Sequence, residues 1–453
     1  MAIRKLLIAN RGEIAVRIIR AAQALGIRTV QAHSMADADS LAVKLADEAV
    51  NIGPPHAAKS YLKVEAVLEA AKATGADAVH PGYGFLSENA GFARAVEDAG
   101  LVFVGPRPET ISRLGDKAAA RAAAEAAGVP TVPGSEGLID SVDAAREAAE
   151  RIGYPVMIKA SAGGGGRGIK IAENGEELAK LVSQARSEAQ AAFGDGSLYM
   201  EKLVRNARHI EVQVLGDGTD AVHCFERECS MQRRRQKVWE EAPSAALDEA
   251  KRQAICTSAV DLARSVGYRG AGTLEYLYDD ASGAFYFIEM NTRIQVEHPV
   301  TEMITGIDLV QEMIRIAGGE KLRLKQDDIR LNGHAIECRI NAEDPSNNFM
   351  PAPGTVERLV VPEADHVRFD TLLYEGYTIP PFYDSLLGKL IVHGPDRATA
   401  IDRMAAALDG LTIDGFRTTV PLHKALAQSG DVRANAIHTQ YLEPWLEANP
   451  IPS

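Results

Sequence analysis

Cysteine is scarce in this sequence: Cys224, Cys229, Cys256 and Cys338 are the only four in 453 residues, and no two form a CxxC pair. That spacing excludes a disulfide framework, a zinc ribbon and a thioredoxin-type redox centre. Cys224 and Cys229 lie close enough to share a metal, but buried free thiols are the commoner fate of such residues. Long apolar runs are missing too. No window approaches the ~18 apolar residues of a membrane-spanning helix, and the stretch Leu6 to Ala9 in MAIRKLLIAN is too short for a signal-peptide core. A cytoplasmic protein with no membrane part is expected. Nor is there an excess of positive charge: 49 Lys and Arg face 62 Asp and Glu, a formal charge of -13. Such a surface repels nucleic-acid backbones and anionic lipid, so any anion must be bound locally.

What is present is globular in character, with 46% hydrophobic and 25% charged residues. The length exceeds the roughly 250 to 300 residues at which a single core stops growing, so several units sharing buried faces are expected. Lys5 to Asn10 reads as a buried strand, Glu13 to Leu25 as a helix closed by Gly26, and Arg28 to Ala32 as a second strand. A helix at Val64 to Thr74, a strand at Ala76 to Val79, a helix at Ala90 to Ala99 and a strand at Leu101 to Val104 continue the rhythm. This predicts a doubly wound parallel sheet over residues 1–110. Its first strand-to-helix turn, Asn10 to Glu13, lacks G-x-G-x-x-G and places charged side chains where a pyrophosphate would lie, which argues against a dinucleotide site. An Ala-rich helix from Asp116 to Ala127 leads through VPTVPGSEG into a small unit ending near residue 203. Beyond it, His209 to Leu215, Gly272 to Tyr278 and Ala284 to Asn291 alternate as strands of a mixed or antiparallel sheet.

The run Ser161 to Gly168, SAGGGGRG, lies between strands at Pro155 to Ala160 and Gly168 to Ala172, so its glycines form a hairpin tip. Bare backbone N–H groups at such a tip can fold over nucleotide phosphates, the alternative being an idle surface loop. Lys159 and Lys117 are candidate phosphate cations. On the predicted hairpin 272–291, a five-residue loop at 279–283 pairs Tyr278 with Ala284 and sets Glu275 opposite Phe287. Glu275 and Glu289 then become diagonal neighbours ~7 to 8 Å apart on one face, with Asn291 following and Phe285 and Phe287 on the same side. Two carboxylates and an amide oxygen beside a phosphate lid suit one or two Mg²⁺ ions. The strand is read onward until Pro299 ends it, which puts Arg293, Gln295 and Glu297 on a shared face. An Arg fork and an amide can hold a small oxyanion there, beside a carboxylate able to accept its proton. The basic run within CFERECSMQRRRQKVWEEAP at 224–243, with Arg233, Arg234, Arg235 and Lys237, is either a solvated face or a source of cations for phosphates and substrate.

Together these segments resemble biotin carboxylase, the ATP-grasp component of biotin-dependent carboxylases. The resemblance rests on IANRGEIAVRIIR at 8–20, HPGYGFLSEN at 80–89, IKASAGGGGRG at 158–168, RHIEVQV at 208–214, the basic run, EMNTRIQVEHPVTEM at 289–303 and ECRINAEDP at 337–345. It implies an α/β and α+β multidomain fold: a Rossmann-like N-terminal domain (1–110), an ATP-grasp domain (111–330) with a mobile glycine-rich lid at about 131–203, and a C-terminal biotin carboxylase domain (331–447). ATP would be held by Lys117, Lys159, Gly164, Gly165, Gly166, Glu201, Lys202, His209, Gln232 and Arg235, and Mg²⁺ or Mn²⁺ by Glu275, Glu289 and Asn291. Glu297 would deprotonate bicarbonate held by Lys237, Arg293, Gln295 and Val296. Carboxyphosphate would follow, with Arg339 stabilising enolised biotin and Tyr83 lining the biotin site.

The sequence departs from the family pattern at Arg235, where a histidine or asparagine is common, and at Trp239, where a small aliphatic is usual. Other ATP-grasp ligases share the lid and carboxylate pair, and a catalytically silent nucleotide-binding subunit is the rival of another class. Tyr83, Arg339 and RIQVEHP favour the biotin reading, and every metal and base residue is present. No Met-Lys-Met biotinylation motif occurs, so biotin carrier and carboxyltransferase are expected on separate chains, serving an acyl-CoA carboxylase, acetyl-CoA foremost. The resemblance also implies a homodimer.

Overall fold

The computed structural model describes residues 2–135, 137–160, 169–193 and 195–452. The first 103 residues build a parallel sheet. Strands β1 (Lys5–Ile8), β2 (Arg28–Ser34), β3 (Glu48–Gly53), β4 (Ala78–His80) and β5 (Val102–Phe103) lie in the order β3-β2-β1-β4-β5, all parallel. Leu6, Leu7 and Ile8 are fully buried because helices cover both faces, Gly12–Ala24 on one side and Val64–Thr74 with Ala90–Asp98 on the other. Beyond β1 the chain turns sharply, and Asn10 donates from Nδ2 to the carbonyls of Pro81 (2.6 Å) and Tyr83 (2.7 Å). Gly82, at φ +64°, sits against that amide, where a Cβ would come within 2.8 Å of Nδ2. This contact fixes the position of Tyr83. The turn carries ion pairs of its own: Arg11 Nε donates to Asp37 (2.9 Å), and Glu13 is buried.

A small unit follows, in which β6 (Val156–Ala160), β7 (Lys170–Ala172) and β8 (Leu198–Lys202) form an antiparallel sheet in the order β7-β6-β8. Val156, Ile158 and Ala160 point into its core with Leu178, Val182, Leu198 and Met200, so Met157 and Lys159 take the other face. The glycine run 161–168, with Gly164, Gly165 and Gly166, lies outside the described residues.

An eight-stranded antiparallel sheet carries the rest. Its order is β13 (Ala284–Asn291), β12 (Arg269–Asp279), β9 (Arg208–Asp217), β10 (Ala221–Arg233), β11 (Gln236–Ala242), β14 (His334–Asn341), then Leu386–Gly394 and Val367–Thr371. Along β9, Ile210, Val212 and Val214 pack on Ile255, Ala259 and Leu262 of the helix Glu249–Ser265. His209, Glu211 and Gln213 therefore face the opposite way, and all three are buried. Trp239 belongs to the C-terminal core with Met231, Ile336, Cys338 and Leu390, and its indole N–H donates to Glu241 (2.9 Å). All four cysteines are buried and free. Among the described residues, no helix is long and apolar enough to cross a membrane.

Two sequence expectations fail here. In the β12/β13 hairpin Asp279, not Tyr278, pairs with Ala284, and an extra residue, Ile288, bulges out between Phe287 and Glu289. Glu275 therefore sits directly opposite Glu289. Phe285 and Phe287 pack with Tyr276 on the other face, so they do not crowd the carboxylates. Second, β13 stops at Asn291. Residues 292–297 are irregular, and Pro299 opens the helix His298–Thr305 instead of ending a strand.

Candidate active site

A cleft of about 950 Å³ opens along the polar face of the large sheet. At its floor lies the Lys237 ammonium, carried on β11 and surrounded by carboxylates from three other segments. It donates to Glu297 Oε1 (2.8 Å) and Glu275 Oε1 (3.1 Å) and makes a short contact to Glu211. Burial opposes its charge, but Glu211, Glu297 and Glu275 outweigh that and raise Lys237 well above an ordinary lysine. Burial likewise works against ionised Glu211 and Glu275, yet Lys237 holds both carboxyls below their usual range.

Glu297 is held from two sides. Its Oε2 accepts from Arg339 Nη2 (2.9 Å), whose Nε donates to buried Glu240 (2.6 Å). Burial would raise the Glu297 carboxyl, but Lys237, Arg339 and Arg227 together keep it low, and it is ionised at neutral pH. Burial and Arg339, pulling in opposite directions with Glu297 adding repulsion, leave Glu240 pushed up to about 7. Arg293 reaches the same wall, donating to Glu88 (2.9 Å) and Asn291 Oδ1 (3.1 Å).

Beneath the floor is Arg227, fully buried. It donates to Glu211 (2.9 Å), Gln213 (2.8 Å), Thr273 (2.9 Å), Thr301 (3.2 Å) and Gln295 Oε1 (2.6 Å). The last bond fixes which way the Gln295 amide points, and its Nε2 accordingly donates to Glu275 (3.0 Å). Higher in the cleft, His209 Nε2 lies 2.9 Å from Glu211 and 3.2 Å from Glu275 without hydrogen-bond alignment. Burial lowers the imidazole, but Glu275 and Glu211 overcome this and push it up to about 9, so the ring is cationic at pH 7.

Glu275 and Glu289 are the carboxylates between which a divalent cation would be held. The two carboxylates face one another across β12 and β13, and burial together with repulsion from Glu275 raises the Glu289 carboxyl. A cation there would relieve that repulsion, and the donors, with Asn291, are hard oxygens suited to Mg²⁺ or Mn²⁺. Met157, Leu203, Leu277 and Ile288 add an apolar patch to the same end of the cleft, suited to a planar base.

Of the residues singled out from sequence, Tyr83, His209, Gln232, Arg235, Lys237, Glu275, Glu289, Asn291, Arg293, Gln295, Val296, Glu297 and Arg339 line this one cleft. Lys159 and Glu201 pair with each other on the small sheet, on the face that Met157 presents to the cleft. Lys202 ends that sheet, and Lys117 starts the helix Lys117–Ala126, close enough to act on Glu289. The basic run divides. Arg233 stacks on Phe349, Arg234 and Arg235 form the hairpin turn at positive φ, and Lys237 alone is drawn into the carboxylates. Sequence reasoning missed Glu211, Arg227, Glu240 and Glu88. Alternation in RHIEVQV could have placed Glu211 beside His209. No such signal exists for Arg227, because β10 carries register shifts on both sides of it.

Comparison with known proteins bears on this cleft. Residues 2–111 match the family model of the biotin carboxylase N-terminal domain, 116–325 that of the carbamoyl-phosphate synthase L chain ATP binding domain, and 337–444 that of the biotin carboxylase C-terminal domain. A biotin carboxylase of Pseudomonas aeruginosa is 53% identical over 444 residues, 98% of either chain. The biotin carboxylase domain of a thermophilic 2-oxoglutarate carboxylase, solved with bicarbonate, matches with a TM-score of 0.92 at 48% identity over 98% of each chain. A dimer of that domain from Hydrogenobacter thermophilus, in complex with MgADP, ADP and bicarbonate, matches with a TM-score of 0.85 at 49% identity over 98% of each chain.

Proposed function

The chain belongs to the biotin carboxylase family, and on that premise we propose that its cleft uses ATP and bicarbonate to carboxylate biotin, with the roles below for its own residues. The observation that carries these roles is the single lysine, Lys237, shared by Glu211, Glu275 and Glu297 beside Arg339 and Arg293. Cations and carboxylates alternate here, so a small anion can be held while an ionised carboxylate stands at its edge. Bicarbonate bound to Lys237, Arg293, Gln295 and the Val296 turn presents its hydroxyl to Glu297, which takes the proton as the oxyanion attacks the γ-phosphate of ATP. Carboxyphosphate forms and ADP leaves. Its breakdown yields CO₂ and phosphate, the phosphate accepts the proton of the biotin ureido nitrogen, and Arg339 faces the enolate oxygen while that nitrogen attacks CO₂.

ATP lies against the apolar patch with Lys117, Lys159, Glu201, Lys202, His209, Gln232 and Arg235 around it, and the ATP role of Gly164, Gly165 and Gly166 falls on residues outside those described. Glu275, Glu289 and Asn291 would hold Mg²⁺ or Mn²⁺, which would supply charge neutralisation for the phosphates. Tyr83 lines the biotin side. The units are those read from sequence, 1–110, 111–330 with its lid, and 331–447. The enzyme works as a cytoplasmic homodimer supplied by a biotin carrier and served by a carboxyltransferase on separate chains, in the first half-reaction of an acyl-CoA carboxylase, acetyl-CoA foremost. A solved domain dimer of a relative supports the homodimer.

The test is phosphate release from ATP, expected to require bicarbonate and to rise on addition of free biotin; a purified protein without biotin stimulation refutes the assignment. Glu297→Gln should lower turnover by about 10²-fold or more, the range of a lost general base, while ATP still binds. Unchanged turnover would assign the base elsewhere.

A further inference from the structure

The residues proposed for biotin and for bicarbonate are linked behind the cleft by a charged pair that the mechanism leaves unused. Lys389, on the strand Leu386–Gly394, has no exposed surface. Its ammonium donates to the backbone carbonyl of Val296 (2.9 Å) and lies 3.1 Å from Glu13 Oε2. Glu13 is equally buried, and its other oxygen accepts a short bond from the Tyr83 hydroxyl. Tyr83, Val296 and Glu297 all line the cleft. Between Tyr83 and Val296 run a hydrogen bond from hydroxyl to carboxylate, an ion pair from carboxylate to ammonium, and a hydrogen bond from ammonium to carbonyl. The ammonium is further flanked by Asp370 and Arg339, its register neighbours on the two adjacent strands.

A buried lysine is costly to keep charged, and an apolar residue of similar length would fill the space more cheaply. The carbonyl it holds belongs to an irregular turn with no sheet partner. A fixed cation at that carbonyl sets the orientation of the Val296 peptide that receives bicarbonate, while the Glu297 carboxylate is held separately by Lys237 and Arg339.

We propose that Lys389 is a positioning residue: it holds the Val296–Glu297 turn against the Tyr83 wall through Glu13, so that occupancy of the biotin side is transmitted to the bicarbonate side. The proposal rests on the function inferred above. Biotin seated on Tyr83 restrains the hydroxyl, Glu13 and Lys389 together, and the turn that receives bicarbonate becomes better ordered.

The test uses the full chain and phosphate release titrated with bicarbonate, with and without free biotin. Lys389→Met keeps the stem and removes the charge; Glu13→Gln/Lys389→Met removes both charges and avoids an unpaired buried carboxylate. Both should raise the KM for bicarbonate about tenfold or more and lose the stimulation by biotin. In both, kcat at saturating bicarbonate without biotin and the affinity for a non-hydrolysable ATP analogue should stay within about threefold. A purely structural lysine would lower Tm and leave KM and stimulation as they were, which overturns the proposal. Tyr83→Phe, which deletes one oxygen and no charge, reads the same link if the charge variants do not fold. The KM for bicarbonate should then no longer respond to biotin, and a retained response overturns the link. Wild-type protein lacking bicarbonate-dependent ATP cleavage would instead refute the function itself, so the two failures are distinguishable.

Discussion

Replacing Glu211 by Gln tests the site at a residue that sequence reading passed over. The substitution preserves shape and removes one charge from a carboxylate that is fully buried and bonded to Lys237 and Arg227, with His209 2.9 Å away. Whichever way the amide turns, one of its N–H groups must face a cation. Breaking a buried pair from one side costs about 3 to 5 kcal/mol of stability. For catalysis the relevant loss is smaller, because Lys237 keeps Glu275 and Glu297. One charge-assisted hydrogen bond is worth about 2 to 3 kcal/mol, which at ~1.4 kcal/mol per decade lowers kcat roughly 30- to 150-fold. An opposing effect acts on binding. Bicarbonate beside Lys237 would sit ~6 Å from the Glu211 charge, a repulsion of ~3 kcal/mol at an effective dielectric constant of ~20, partly screened by Lys237 and Arg227. Its removal should lower the KM for bicarbonate or leave it unchanged while kcat falls. Bicarbonate titration of phosphate release separates the two. A kcat within about threefold of wild type, or a raised KM at constant kcat, would refute the idea that Glu211 acts by holding Lys237.

Other consequences concern charge state and access. His209 is raised from 6.5 to about 9, so its contribution to the folded state is complete below pH 6.5 and lost as pH rises through about 9. The His209 part of Tm should therefore fall between pH 6.5 and 9 and level off above 9, whereas ATP-analogue affinity, set by the folded-state value, should hold to about pH 8 and decline through 9; changes unaltered in His209→Gln would assign them to another group. Burial drives the Cys224 thiol up to about 12 and the other three well above normal. A disulfide reagent should therefore find no reactive thiol before denaturation and four after it; a thiol titrating in the native protein contradicts the burial. Chelating divalent cations should abolish ATP cleavage, and Glu289→Gln should raise the Mg²⁺ concentration needed for half-maximal rate about tenfold or more, the size of one lost charged ligand interaction. Unchanged Mg²⁺ dependence would remove Glu289 from the metal site.

Much of the fold was legible because it follows local periodicity. The helix Val64–Thr74 falls where it is expected and is closed by Gly75 in the left-handed region, and β9 covers the alternating segment RHIEVQV. The edge strand β3 was passed over, since only Ile52 of its six residues is buried and it carries no apolar run. The hairpin failed at one residue: Ile288 bulges, and a bulge reverses the parity of every residue on one side of it without changing composition. Residues 292–297 alternate like a strand but form a turn, because Arg293 and Gln295 are drawn to Glu88 and Arg227 from distant segments. Contacts such as Arg339 with Glu240 or Glu13 with Lys389 join residues whose neighbours in sequence say nothing of one another.

The crowding of carboxylates around Lys237 also bears on which anion the cleft can accept. A pocket meant only to bind an anion would present cations alone. Here an entering anion must share Lys237 with Glu297, which Arg339 holds ionised. An anion without a proton meets that carboxylate as pure repulsion, ~4 kcal/mol at ~4 Å and an effective dielectric constant of ~20. Bicarbonate carries a hydroxyl and turns the same contact into a charge-assisted hydrogen bond. Nitrate has the same planar shape and charge but no proton. It should therefore compete poorly with bicarbonate in wild-type protein and better in Glu297→Gln, where the amide can donate to it. Competition by nitrate that is equal in the two proteins would mean that Lys237 and Arg293 select the anion by charge and shape alone.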